Sequence, residues 1–121
     1  MKTKETSEAP LQTKFIVTTR IEDEFKEVEF LTSSIVEFGI TCHPSYRKDG
    51  GFKKWYKQGY IISNDVRYKC FESRISDLKE IFKGKFISSK YTMSECKYSP
   101  KGRYIGERKA TNWKYEIKSY M

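Results

Sequence analysis

Apolar and polar positions alternate along much of this chain, a pattern that predicts strands more often than helix. Phe15, Val17, Thr19 and Ile21 alternate with Lys14, Ile16, Thr18 and Arg20, so a first strand is expected from about Thr13. Between residues 22 and 42 two periods compete. Phe25, Val28, Leu31, Ile35 and Phe38 fit a helix, whereas Val28, Phe30, Val36, Phe38, Ile40 and Cys42 fit alternation. The β-branched and aromatic content, and Thr32-Ser33-Ser34 in the middle, favour two strands joined by a turn.

Beyond His43-Pro44, the segment Ser45 to Gly51 ends in Asp49-Gly50-Gly51 and predicts a loop. Strands are expected over Phe52 to Ile62 and Val66 to Phe71, with a turn at Ser63-Asn64-Asp65 between them. The helical segment is Arg74 to Lys83, where Ile75, Leu78, Ile81 and Phe82 share one face, Ser73 is placed to cap the start and Gly84 to end it. Three further strands are expected around Lys90 to Tyr98, Arg103 to Glu107 and Trp113 to Tyr120, with Ser99-Pro100-Lys101-Gly102 as a type I turn. The sum is a single α+β domain, an antiparallel sheet of about five to seven strands with one principal helix packed on it.

Met1 to Gln12 is polar, contains Pro10 and has no periodicity, so it reads as a mobile arm ahead of a domain spanning 13–121. The 121 residues suffice for one domain with its own core. No apolar run approaches the length of a membrane span and no signal peptide is visible, which places the expectation in the cytoplasm. Three cysteines, Cys42, Cys70 and Cys96, form no paired motif; they are expected to be reduced, buried small apolar groups.

The net charge of +8 is unevenly spread. Residues 1–30 carry five Lys/Arg against seven Asp/Glu, and every later stretch of thirty is cationic. An acidic partner follows naturally. Lys outnumbers Arg by 18 to 6, however, and a lysine-rich composition alone also produces a solvated cationic surface.

Cations interleave with aromatic residues, a combination that suits nucleic acid and single strands in particular, because Lys and Arg neutralise phosphates while exposed rings stack on bases. The densest segment is Lys53-Lys54-Trp55-Tyr56-Lys57, preceded by Arg47 and Lys48. Arg67, Lys69, Lys101, Arg103, Arg108, Lys109 and Lys114 complete the candidate phosphate-contacting set. Alternation tempers this, since neighbouring side chains of a strand point to opposite faces. A second reading is a protein-binding factor that docks on an acidic surface of a partner, for example to block a nucleic-acid channel, with Tyr and Trp as anchors.

Catalytic constellations are weak. Asp77 with Glu95-Cys96-Lys97 matches the outline of a metal-dependent nuclease, but the same Asp/Glu-x-Lys spacing recurs at Glu24, Asp77, Glu107 and Glu116. Cys42, His43, Cys70 and Cys96 are of the right type for zinc and lack its usual spacing, and Cys42 and His43 point opposite ways on a strand. Asp49-Gly50-Gly51 lacks the strand, loop and helix context of a phosphate loop, so no cofactor is expected and a non-enzymatic role is favoured.

Overall fold

The structure, a computed structural model, describes residues 13–118, so the arm expected over Met1 to Gln12 lies outside the described residues. The elements are β1 (Lys14–Ile21), β2 (Glu24–Leu31), β3 (Ile35–Tyr46), β4 (Phe52–Ser63), β5 (Val66–Cys70), α1 (Glu72–Ile81), β6 (Phe86–Tyr98) and β7 (Tyr104–Ile117). They form a single α+β domain: β1 and β2 make a two-stranded sheet, and the remaining strands an antiparallel five-stranded sheet in the order β5-β4-β3-β7-β6.

Two of the hairpins close through two-residue turns. Glu22 and Asp23 lie at φ 50° and 66°, and Asn64 and Asp65 at 53° and 65°, the left-handed pair that matches the twist of the flanking strands. The competition over residues 22–42 resolves in favour of strands, with Thr32–Ser34 forming the expected turn as one short 3-10 element between β2 and β3. Helix loses there because alternation lets Phe30 and Phe38 both reach the core from strands.

The core lies on one side of the five-stranded sheet. Phe38 of β3, Ile61 of β4, Cys70 of β5 and Tyr115 of β7 meet Ile75, Leu78 and Phe82 of the helical segment, while Phe15, Val17 and Phe30 of the β1–β2 hairpin close the same layer. Phe38 stacks on both Phe82 and Tyr115 at centroid distances of 5.9 and 5.2 Å. Helix and hairpin therefore share one face. Gly59 admits the helix: a Cβ there would stand 2.9 Å from Ile75 Cγ1 and 3.0 Å from the Phe71 carbonyl oxygen.

Several boundaries differ from the sequence expectation. The helix starts at Glu72 with Phe71 at the N-cap position and no side-chain cap, so Ser73 lies inside it instead of capping it. The acidic Glu72 in the first turn supplies the favourable interaction with the helix dipole in place of a cap. β3 continues through Ser45 to Tyr46, and β6 begins at Phe86, because each has a paired neighbour that extends it. The two strands expected over 103–107 and 113–120 are one, since Arg108 to Asn112 pairs continuously with Tyr91 to Glu95; its polar composition reflects exposure, not a turn. Tyr120, the expected end of that strand, lies outside the described residues.

β3 and β7 stay paired only from Glu37 to Ile40, after which the β3–β4 and β6–β7 hairpins diverge. The separation begins before Pro44, and Pro44 keeps the pairing from resuming. The Cys42 N–H points toward β7, where it donates to Asn112 Oδ1 at 2.9 Å, so two residues on Pro44 presents the same side with no donor. The hairpins meet again near their tips, where Tyr46 donates to Glu95 Oε1 at 3.0 Å and the Arg108 guanidinium lies 4.4 Å from the Phe52 ring.

Candidate nucleic-acid interface

Register sorts every strand residue onto one of two faces. Phe38 pairs with Ile61 and Tyr115, and Ile40 with Gly59 and Trp113, so these lie on the helix side. Their alternates lie on the other face. Among the described residues helix and hairpin both pack on the first face, and the second carries no further element, although Thr41, Tyr60 and Asn112 on it are buried.

The sequence candidates divide accordingly. Lys54 and Tyr56 of β4, Arg67 and Lys69 of β5, and Arg108 and Lys114 of β7 fall on the uncovered face. Trp55, Lys57 and Lys109 fall on the helix side. Arg47 and Lys48 sit at the tip of the β3–β4 hairpin with Lys53 beside them, and Lys101 and Arg103 at the tip of β6–β7. The run 53–57 is thus one segment of sequence but not one surface. Trp55 is half-buried with its ring 5.6 Å from that of Phe52, a packing contact rather than a free stacking platform.

Three candidates are engaged in ion pairs: Arg47 with Asp49, Lys109 with Glu107 and Lys114 with Glu116. Two others lie over rings, Arg67 at 3.9 Å from the Tyr60 centroid and Arg108 over Phe52. The uncovered face also holds Lys97, which the sequence presents within Glu95-Cys96-Lys97 and not in the phosphate-contacting set, and the exposed ring of Tyr91, which the sequence does not single out, both on β6. Their signal was alternation through a strand whose far edge, β6, could be assigned a face only after its partner was known.

The floor of this face is built around Tyr60. Its ring lies against Gly39, where a Cβ would stand 2.6 Å from Tyr60 Cε2 and 2.3 Å from the Trp113 carbonyl oxygen. The Tyr60 hydroxyl donates to Glu37 Oε2 at 2.6 Å. Burial first, and then the Glu37 carboxylate, push the phenol well above its usual range. Beside it, Thr41 and His43 share a hydrogen bond of 2.8 Å between Oγ1 and Nε2, and the His43 ring lies 5.5 Å from that of Tyr56. The face therefore has a fixed polar floor and a rim of cations.

The other constellations do not assemble. Asp77 lies on the exposed side of the helix and pairs with Arg74, while Glu95 and Lys97 occupy the opposite side of the sheet. Among the described residues no group of three His, Cys, Asp or Glu side chains is placed to hold a metal ion. Cys42 and Cys70 are buried as expected, but Cys96 is exposed, because it lies on a stretch of β6 beyond the reach of the helix. Among the same residues no helix is long and apolar enough to cross a membrane. Comparison with protein-family models, curated proteins and solved structures finds no match to this chain.

Proposed function

We propose that the uncovered sheet face binds single-stranded nucleic acid without catalysis. One observation supports this above the rest: that face gathers Lys54, Arg67, Lys69, Lys97, Arg108 and Lys114 against only Glu37, Glu95 and Glu116, with the rings of Tyr56 and Tyr91 exposed among them. Cations spaced along strands follow a phosphate backbone, and an exposed ring offers any base a surface to stack on. These groups stand around a floor that is already hydrogen-bonded, so the floor itself needs no further ordering on binding.

The test is fluorescence anisotropy of a labelled oligothymidylate or oligouridylate of about 12 nucleotides, titrated across a salt series. Binding should weaken as salt rises, and Lys54→Ala and Lys97→Ala should each reduce the slope of log affinity against log salt by about 0.7. Tyr91→Ala should cost about 1–3 kcal/mol of binding while leaving the melting temperature unchanged. Absence of binding at low salt, or identical slopes in the variants, would refute the proposal and favour an acidic protein surface as the partner.

A further inference from the structure

A second surface lies at the opposite edge of the sheet from β6. An open groove of about 1250 Å³ runs between the end of the β1–β2 hairpin and β5. Four large apolar side chains line it while exposed: Ile21, Phe25, Val66 and Phe71, with Phe25 at 68% and Phe71 at 60%. Such clustering distinguishes a recognition surface from apolar residues scattered singly.

Both walls of the groove are strand edges. Ser63 and Val66 close a two-residue turn and so exchange hydrogen bonds, which by alternation directs the N–H and C=O groups of Arg67 and Lys69 away from β4. The same rule applied to the Glu22-Asp23 turn directs those of Ile16, Thr18 and Arg20 away from β2. Arg74 Nη2 donating to the Ile16 carbonyl at 2.9 Å agrees with that assignment.

We propose that this groove accepts an extended acidic peptide as a strand added to β5. Main-chain pairing with Arg67 and Lys69 would supply affinity, and alternate side chains would supply selectivity. On the uncovered face the added strand lies beside Arg67 and Lys69, neither of which has an ion pair among the described residues, so carboxylates there meet cations, while the acidic members of the lining, Glu22, Asp23 and Glu72, stand at the hairpin turn and at the start of the helix. On the hairpin side its intervening side chains enter the apolar groove beside Phe25, Val66 and Phe71, with Lys57 at the margin. A second copy of the chain is disfavoured, since antiparallel β5 strands would set Arg67 and Lys69 against like charges.

The experiment titrates isotope-labelled protein with an acetylated, amidated peptide of alternating Glu and Val, about six residues long. Amide exchange at Arg67 and Lys69 should slow on binding. Lys69→Ala should weaken affinity several-fold, and Lys69→Pro, which also removes the outward N–H from an edge position that tolerates proline, should abolish it. Lys97→Ala, at the far edge of the sheet, should bind the peptide as the wild type does. The proposal is overturned if a folded Lys69→Pro protein binds normally, if an alternating Lys and Val peptide binds equally well, or if Lys97→Ala loses as much affinity as Lys69→Ala. A concentration-dependent dimer that Lys69→Pro dissolves would assign the edge to a second copy and overturn it as well. Should Lys69→Pro fail to fold, unchanged exchange at Arg67 and Lys69 in the wild-type complex would be decisive against it.

Discussion

Gly39 occupies the point where three strands and one ring converge, and its lack of a side chain is a steric requirement. A Cβ at 2.3 Å from the Trp113 carbonyl oxygen cannot be relieved by rotating a flexible group, because the obstacle is backbone. Gly39→Ala should therefore destabilise the fold by about 1–3 kcal/mol or more, read as a lowered urea midpoint. The thiols separate by environment in the same way. Cys96 should react with a maleimide in the native protein while Cys42 and Cys70 react only on unfolding, as followed by intact mass. Burial pushes the Cys70 thiol up to about 11, so the fold holds it neutral. That contribution to stability is complete below the thiol's ordinary value and is lost as pH rises from there toward 11.

The two long hairpins carry their own determinants. Asn112 accepts the Cys42 N–H where β3 parts from β7, and Asn112→Ala would leave that buried donor unpaired, at a cost of about 1–3 kcal/mol measurable by chemical denaturation. At the β3–β4 tip, Asp49 Oδ1 accepts hydrogen bonds from the Gly51 N–H at 2.8 Å and Arg47 Nε at 3.2 Å. Those bonds, the Gly51 N–H foremost, hold the carboxyl below the usual carboxylate range. Since a lowered acid stabilises the loop above its ordinary value and ceases to do so as pH falls through its folded value, the Gly51 amide shift should titrate with a midpoint below that of an unperturbed aspartate. Trp55 packs on Phe52 within this element and lies on the helix side of the sheet. Trp55→Ala should lower the melting temperature and leave the salt slope of binding intact.

Across the described residues the decisive asymmetry is that helix and hairpin both cover the same face of the sheet. Lys54 and Lys97 sit on different hairpins, so in the Lys54→Ala/Lys97→Ala double variant the losses of salt slope should add. The charge reversal Lys97→Glu should depress oligonucleotide affinity more than Lys57→Glu, although Lys57 lies in the densest cationic run, because only Lys97 lies on the uncovered face. Equal losses from the two would place binding on the overall charge instead of on one surface.

Alternation, turn residues and the helical spacing of Ile75, Leu78 and Phe82 sufficed to specify an antiparallel α+β domain, because each is a local property of a few consecutive residues. The buried faces of β1 from Phe15 to Thr19 and of β3 from Phe38 to Cys42 were legible for the same reason, whereas Ile21 is exposed and the irregularity between Ile35 and Glu37 turns Val36 outward and puts Ile35 in the core. The continuity of β7 was not, since the polar stretch Arg108 to Asn112 is held as strand by its partner β6 and not by its own composition. The burial of Cys96 was misjudged likewise, because the extent of helix cover on a strand is a distance between elements remote in sequence. The run 53–57 announced charge and aromaticity, yet which of those side chains share a surface with Arg67, Lys97 and Lys114 depends on strand order and register. Those are set only when the strands pair, because the side-chain period of two fixes opposition of neighbours but not which face the helix will cover.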